Sequence, residues 1–118
     1  MRPRFSRAAL LKRLESMLRD RCEAAFLFGS YARNEAVAGS DVDLIIVTPS
    51  TRETVDRFRD FMDLAIHLAP IDLIIYTPDE WRQLQRSPNP LVRHARKEWQ
   101  PLRVTKPRRA PLASKARL

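Results

Sequence analysis

Three aspartates at the starts of two apolar segments are the residues best suited to chemistry. Asp41 and Asp43 open the segment 41–47, and Asp72 lies near the start of the segment 71–76. Residues i and i+2 of a strand share a face, so Asp41 and Asp43 should project side by side. Their repulsion and partial desolvation cost free energy unless one is protonated or a cation binds. A hard divalent cation with oxygen ligands is the simplest relief.

The elements that must position these aspartates are short strands separated by helices. We predict strands at 24–28, 41–47, 71–76 and, as a short edge strand, 102–104, and helices at 6–20, 30–36, 50–67, 77–86 and 90–98. The connection 48–69 is long enough for a crossover helix, which makes the second and third strands parallel, whereas the link before Asp41 allows either direction. The predicted fold class is α+β, a two-layer arrangement with a small mixed sheet of three or four strands and helices mainly on one face.

Composition indicates one small domain with a basic end. The chain has 118 residues and a net charge of +8. Six basic residues and no acid lie in 103–118, which leaves 16 basic and 14 acidic residues in the rest. We predict a domain at 1–104 and a basic, disordered tail at 105–118. Such a tail can also attract nucleic acid or an acidic protein, so both interpretations stay open.

Other sequence features bear on location. No apolar run approaches the roughly 20 residues of a membrane span, so no membrane partner is expected. The single cysteine, Cys22, excludes an internal disulfide and fits a reducing cytoplasm, which is the predicted location. We expect Cys22 to be a half-buried structural thiol.

A Gly-Ser pair and its spacing to the aspartates resemble a known family. Gly29-Ser30-Tyr31-Ala32-Arg33, then Gly39-Ser40-Asp41-Val42-Asp43, then Ile71-Asp72-Leu73 are similar to the nucleotidyltransferases of the DNA polymerase β superfamily. The resemblance covers about residues 8–104, and the short length suggests a minimal nucleotidyltransferase, often the MNT half of HEPN/MNT toxin–antitoxin pairs. A lone Asp-x-Asp also occurs in glycosyltransferases, but the Gly-Ser turn and the third aspartate favour the nucleotidyltransferases.

The resemblance implies a role for each residue of the motif. Asp41 and Asp43 would bridge two Mg²⁺ ions, with Mn²⁺ as an open alternative, and Asp72 would complete the second ion's shell and take a proton. Gly29 and Ser30 would contact the triphosphate of a nucleoside triphosphate. Arg33 would hold a phosphate or a protein partner. Ser40 is included among the nucleotide-binding residues, although a turn residue that orients the aspartates is the favoured interpretation.

The implied reaction moves a nucleoside monophosphate, with AMP from ATP as the expected case, onto a hydroxyl and releases pyrophosphate. The acceptor would be a protein partner or an RNA end. The alternative is an antitoxin-like binding subunit that neutralises a HEPN-type helical partner by contact, with Trp99 as a candidate contact residue. A homo-oligomer is left open. One departure from the family pattern is Asn34, where relatives commonly carry Gly; Asn tolerates a left-handed backbone, so we expect the turn to survive.

Overall fold

Four strands form one mixed sheet, as the sequence predicted. The structure is a computed structural model, and residues 1–105 are described. The strands are β1 (Ala24–Phe28), β2 (Val42–Val47), β3 (Ile71–Tyr76) and β4 (Gln100–Pro101), in the sheet order β3-β2-β1-β4. β2 is antiparallel to β1 and parallel to β3, and β4 pairs antiparallel with β1. The edge strand therefore lies just before the predicted segment 102–104.

In the described part of the chain, five α-helices and one 3₁₀ helix surround this sheet. The helices are α1 (Arg7–Leu18), α2 (Gly29–Ala32), α3 (Met62–Leu68), α4 (Pro78–Arg86) and α5 (Pro90–Ala95), and the 3₁₀ helix Thr54–Phe61 runs directly into α3. The predicted capping box of α4 is present, since the Thr77 side chain accepts the Glu80 N–H and Glu80 accepts the Thr77 N–H. α2 and α5 are shorter than predicted. No helix among residues 1–105 is long and apolar enough to cross a membrane.

The two faces of the sheet carry cores of different size. The larger core packs α1 and α3 against one face; it includes Leu14, Leu27, Leu44, Ile46 and Leu64, and also Cys22. Cys22 is fully buried, so the prediction of half-burial was wrong, because the thiol lies beneath this larger core. Burial raises its pKa to about 11, which keeps it unreactive.

The opposite face carries a smaller, aromatic core beneath α4 and α5. Phe26 stacks on Trp81 and on Trp99, with ring centroids 5.3 Å and 4.4 Å apart. Trp99 is half-buried in this stack. The expectation that Trp99 is exposed was therefore wrong, because the ring packs against β1, whereas a partner contact through its remaining surface stays a prediction.

The predicted helix 50–67 differs from the observed one in type and in orientation. Ser50 accepts the Arg52 N–H and caps no helix; the 3₁₀ helix begins at Thr54. The helix was predicted from the helical spacing of five apolar residues, of which Ala65 is half-buried. The other four are exposed to solvent: Val55 (78% exposed), Phe58 (43%), Met62 (43%) and Ile66 (71%). We call these four residues the apolar stripe. Phe61, Leu64 and Leu68 are buried instead. Both sets have helical spacing, so periodicity alone could not decide which one faces the sheet.

Residues 106–118 are outside the described part of the chain. Nearly all of the predicted tail 105–118 lies there, so its predicted disorder and its binding roles stay predictions. The predicted domain boundaries also stay predictions.

Candidate active site

The strand register brings the predicted aspartates to one edge of the sheet. Asp43 of β2 lies directly opposite Asp72 of β3 in the parallel pair, and opposite Phe28 of β1 on the other side. Asp41 lies one residue before β2. Since β1 ends at Phe28, the next residue, Gly29, starts the turn beside Asp43. The antiparallel β1–β2 pairing therefore joins the Gly-Ser turn to the aspartates.

Strand alternation assigns the aspartates to the aromatic face of the sheet. Leu44 and Ile46 belong to the larger core, whereas Ile45 and Val47 pack with the smaller one. Asp43, two residues before Ile45, therefore projects toward the side of α4 and α5. Asp72 shares this side, because Ile74 and Tyr76 pack there too. The candidate site thus lies next to the end of α5.

The carboxylates of the site repel one another. Asp43 is half-buried, and Asp41 and Asp72 are exposed. Burial, followed by the charges of Asp72 and Asp41 and, least, of Glu98, raises the pKa of Asp43 to about 6, while Arg33 acts in the opposite direction. Among residues 1–105, no ion pair involves Asp41, Asp43 or Asp72. The charge of Arg33 therefore offsets only part of the repulsion, and the pKa of Asp43 stays raised.

The donor chemistry of this site fits Mg²⁺ or Mn²⁺. Three carboxylates on adjacent strands offer the hard oxygen ligands that such ions take. Within residues 1–105, however, no three Asp, Glu, His or Cys side chains are gathered closely enough to hold an ion as they stand. Ion binding would therefore require the aspartate side chains to rotate, which is cheap for Asp41 and Asp72 because both are exposed.

Gly29 is required by contact with Asp43. Its φ angle is +76°, and a Cβ atom at this position would lie 2.1 Å from Asp43 Oδ2. A side chain here would displace the carboxylate. Sequence analysis assigned the missing side chain to phosphate approach, whereas the structure uses the space for Asp43. The Gly29 N–H donates to Glu98 Oε2 at 2.9 Å.

The remaining motif residues lie around the turn. Arg33 is exposed and pairs with Glu35 and with Glu98, each at 2.9 Å. Ser30 is half-buried and is the second residue of α2. Ser40 Oγ accepts the Val37 N–H at 2.8 Å, so this oxygen closes the turn that leads to Asp41. The nucleotide contacts predicted for these residues stay predictions.

The backbone at Asn34, where the sequence departs from the family pattern, has the expected conformation. Asn34 has a φ of +60°, in the left-handed region that Gly adopts easily and that Asn tolerates better than most residues. Its N–H donates to the Tyr31 carbonyl at 3.2 Å, which closes the turn after α2. The turn therefore survives the replacement of Gly by Asn.

Sequence analysis missed Glu98, the fourth acidic residue of the site. It follows α5 and reaches the turn across 69 residues of sequence. The available signal was weak: Glu98 is a single acid after the basic segment Arg93-His94-Ala95-Arg96-Lys97. Such an acid is usually a surface residue.

A second concave region is separate from this site. It has a volume of about 450 Å³ and is lined by residues that include Tyr76, Glu80 and Asn89. Tyr76 is four residues along β3 from Asp72, which corresponds to about 13 Å. This cleft is therefore not part of the acidic site.

Comparison with known proteins agrees with the motif. The family described as nucleotidyltransferase domain matches residues 8–101. The fold is similar to the crystal structure of a toxin–antitoxin with AMP-PNP, at 22% identity over 80% of this chain and 73% of the other, with a TM-score of 0.57. It is also similar to a mutant of the toxin–antitoxin MntA–HpeT, at 21% identity over 80% and 72% of the two chains, with a TM-score of 0.50. No curated protein matches the chain significantly.

The match extends over most of the chain, and the fold and the acidic edge agree with it. The protein belongs to the nucleotidyltransferase domain family. The described residues comprise little beyond the sheet and its helices. Its general chemistry is nucleotidyl transfer.

Proposed function

We propose that this protein is a metal-dependent enzyme that transfers AMP from ATP to a hydroxyl group and releases pyrophosphate. The observation that carries the proposal is the pairing of Asp43 with Asp72 across β2 and β3, beside Gly29, without an ion pair to any basic residue of 1–105. Acidic side chains in such a place lower the stability of the free protein, and a cation with a bound triphosphate would remove that cost.

The three aspartates would hold the cation, as two Mg²⁺ ions in our proposal and with Mn²⁺ as an alternative. Bound divalent ions supply charge neutralisation at the phosphates and a lowered pKa of the attacking hydroxyl. Asp41 and Asp72 are exposed, so they can turn toward a ligand at little cost. Asp43 is fixed more firmly, because it packs against Gly29. This difference makes Asp43 the anchor of the site.

The transfer step would be an in-line displacement. The acceptor oxygen forms a bond to the α-phosphorus, and the bond between that phosphorus and the bridging oxygen breaks. Pyrophosphate leaves with the bonding electrons, and the acceptor proton passes to a carboxylate oxygen of Asp72. Catalysis of this kind depends mainly on positioning and on electrostatic stabilisation.

The turn residues would bind the triphosphate. Among residues 1–105, the charge of Arg33 lowers the pKa of Asp43, and the Arg33 side chain is exposed enough to meet a ligand. Ser30 adds a hydroxyl, and Ser40 supports the turn before Asp41. Arg33 is already shared by two glutamates, so we expect it to be held in place rather than recruited by the nucleotide.

The acceptor is proposed to be a macromolecule, either a protein or an RNA end. β3 is at the edge of the described sheet, and Asp72 on it is exposed. A site at such an edge is open to a large acceptor. A small-molecule acceptor would instead need a concave pocket, because small-molecule sites usually bury most of the surface of their ligand.

A labelling experiment tests the proposed reaction. The protein is incubated with Mg²⁺ and ATP labelled at its α-phosphorus, together with a co-purified partner or RNA. Label should appear on the acceptor, and pyrophosphate should be released. Asp41→Asn/Asp43→Asn should abolish both signals, whereas Asp56→Asn, on the 3₁₀ helix, should retain them. Equal labelling by the double variant and the wild type would refute the proposal.

The apolar stripe supports a second function, that of an antitoxin-like subunit. Val55, Phe58, Met62 and Ile66 follow one another at spacings of three, four and four residues and are all exposed. Two of these exposed apolar residues lie on the 3₁₀ helix and two on α3, and exposed apolar residues on consecutive helical turns are typical of a protein–protein interface. The similar solved structures are of toxin–antitoxin systems. We propose that a HEPN-type helical protein packs on this stripe. This second function is compatible with the first, because transfer of a nucleotide to the bound partner could be the way in which the partner is neutralised.

Co-purification with the product of the adjacent gene tests this interface. Phe58→Ser/Ile66→Ser should abolish the complex on size exclusion without lowering the melting temperature. Val37→Ser is the matched control, since Val37 is an exposed apolar residue on a different segment (55% exposed). An unchanged complex with the double variant would exclude the stripe as the interface.

Three further proposals concern the tail, the oligomeric state and the location of the protein. Nucleic-acid binding is assigned to the tail 105–118, and deletion of that segment should remove any salt-dependent gel shift. A homo-oligomer would show as a larger mass in solution. A cytoplasmic location agrees with the buried thiol of Cys22, which needs no oxidising environment.

A further inference from the structure

Glu98 is a largely buried acid that has no assigned role. It follows α5, and its side chain is 15% exposed. Its Oε2 accepts the Gly29 N–H at 2.9 Å, and Arg33 Nη1 lies 3.1 Å from Oε1 and 2.9 Å from Oε2. His94 Nε2 lies 3.9 Å from Oε1. One carboxylate thus connects the end of α5 to both the backbone and the side chain of the turn.

The location of Glu98 is electrostatically unfavourable. It adds a negative charge near three aspartates that have no ion-pair partner among the described residues. A fold that only needed to cap the Gly29 N–H could use a neutral side chain or water. The charge is instead compensated by Arg33, so the carboxylate and the guanidinium hold each other beside the acidic site.

The contacts of Glu98 extend to Asp43 through Gly29. The Asp43 carboxylate occupies the space that a Gly29 side chain would fill. A shift of the Gly29 backbone would therefore move Asp43. Glu98 fixes that backbone through a different group, since it accepts the Gly29 N–H while Asp43 packs against the Cα position.

We propose that Glu98 is a positioning residue of the nucleotide site: it fixes the Gly29 backbone and the Arg33 guanidinium so that both are in place before the triphosphate binds. This proposal rests on the proposed function. A preorganised turn spares the nucleotide the cost of ordering it, which appears as affinity.

Nucleotide affinity tests this role without an identified acceptor. Calorimetric titration uses a non-hydrolysable ATP analogue with Mg²⁺. Glu98→Ala should raise Kd by about 10- to 100-fold, the usual effect of losing a supporting contact behind a site. Glu98→Gln keeps an oxygen that can accept the Gly29 N–H, so its Kd should return to within about fivefold of the wild type.

Glu35→Gln is the matched control. Glu35 also pairs with Arg33, but it is 65% exposed and makes no contact with Gly29. Its loss should change Kd by less than about twofold. Glu98→Asp, which is one methylene too short to reach Gly29, replaces Glu98→Ala if that variant fails to fold. An unchanged Kd for Glu98→Ala or Glu98→Asp would overturn the proposal. A lower Kd would also overturn it, since the carboxylate would then compete with phosphate.

A second readout is independent of nucleotide. In the wild type, the Gly29 amide proton should resonate at low field and exchange slowly with solvent, and Glu98→Ala or Glu98→Asp should remove both properties. An unaltered Gly29 resonance in those variants would show that the contact is absent. If the wild type binds no nucleotide at all, the proposed function fails, and this resonance still decides whether Glu98 fixes the turn.

Discussion

Acidic residues lie at both ends of the β2–β3 pair, but their ion pairing differs between the two ends. Where these strands begin, Asp43 and Asp72 lie side by side without an ion pair among the described residues. Where they end, Glu80 binds the buried Arg57, with distances of 2.6 Å to Nη1 and 3.1 Å to Nη2. Arg57 also donates to the Ile75 carbonyl at 3.1 Å. The pKa values follow: burial raises that of Asp43, and the hydrogen bond from Arg57 lowers that of Glu80.

This difference separates structural charges from functional ones. The Arg57–Glu80 pair joins the 3₁₀ helix to the first turn of α4 and satisfies its own hydrogen bonds, so it can hold the fold without a ligand. The aspartate end, within residues 1–105, is left with a repulsion that protonation or a bound cation would remove. Unrelieved charge at one end of a well-ordered sheet is the physical sign of a binding site.

The largest expected effect is on activity at the aspartate end. Asp43→Asn should reduce label transfer from ATP by about 100- to 1000-fold, because the anchor carboxylate for the cation is lost. Glu80→Gln, at the other end, should leave transfer within about threefold of the wild type. Initial rates at saturating Mg²⁺ measure both, and similar losses in the two variants would remove the distinction between the ends.

The next effect is on stability at the other end. Arg57→Met removes three carbonyl or carboxylate partners of a guanidinium that is only 8% exposed, and it should lower the free energy of unfolding by about 2–3 kcal/mol. Glu80→Gln should cost about 1 kcal/mol or less, because the Glu80 side chain is 41% exposed. Urea denaturation gives both values. An Arg57→Met variant as stable as the wild type would contradict the structural role.

Two glycines test the packing of Asp43 without changing its charge. Gly29 and Gly39 have φ angles of +76° and +86°, but a Cβ on Gly39 meets nothing within 4 Å. Gly39→Ala should cost about 1 kcal/mol of backbone strain, and Gly29→Ala about 2 kcal/mol, because it also collides with Asp43. Adding Asp43→Ala should cancel the excess in Gly29→Ala. Equal costs for the two glycines would mean that the contact is not tight.

The smallest effect is a gain in stability when the repulsion is removed. Asp43 has a pKa of about 6 in the fold and an ordinary value of 3.8, so between these values the folded state binds more protons than the unfolded state. Stability therefore falls as the pH rises through this range.

Asp43→Asn removes that loss and should be more stable than the wild type near neutral pH by about 1 kcal/mol, a value reduced for the partial exposure of Asp43. The two proteins should differ little below about pH 3, where the wild-type carboxyl is mostly protonated in both states. Thermal melts without divalent ions measure the difference, and Mg²⁺ should reverse it. A less stable variant in the absence of Mg²⁺ would argue against repulsion at Asp43.

Local pattern was enough to predict the strands and the aspartates. Apolar runs bounded by turn residues identified β1, β2 and β3, and the length of the connection 48–69 predicted the parallel pairing of the last two. Asp43 and Asp72 stand at equivalent places in their runs, so correct strands bring them together. The motif around Gly29 also predicted the turn, and the tolerance of Asn for a left-handed backbone agrees with the conformation of Asn34.

The sequence by itself therefore determined the strands, the order of the motif and the kind of chemistry, because each is written in spacings of a few residues. Only the tertiary structure decided which stripe of the 54–68 segment packs inward, which acid pairs with Arg57, and that Glu98 reaches Gly29. The two contacts join residues 23 and 69 positions apart. Which of these contacts form depends on the free energy of the whole packed chain, to which buried apolar area and paired charges both contribute. The spacing of a few neighbouring residues does not determine that total.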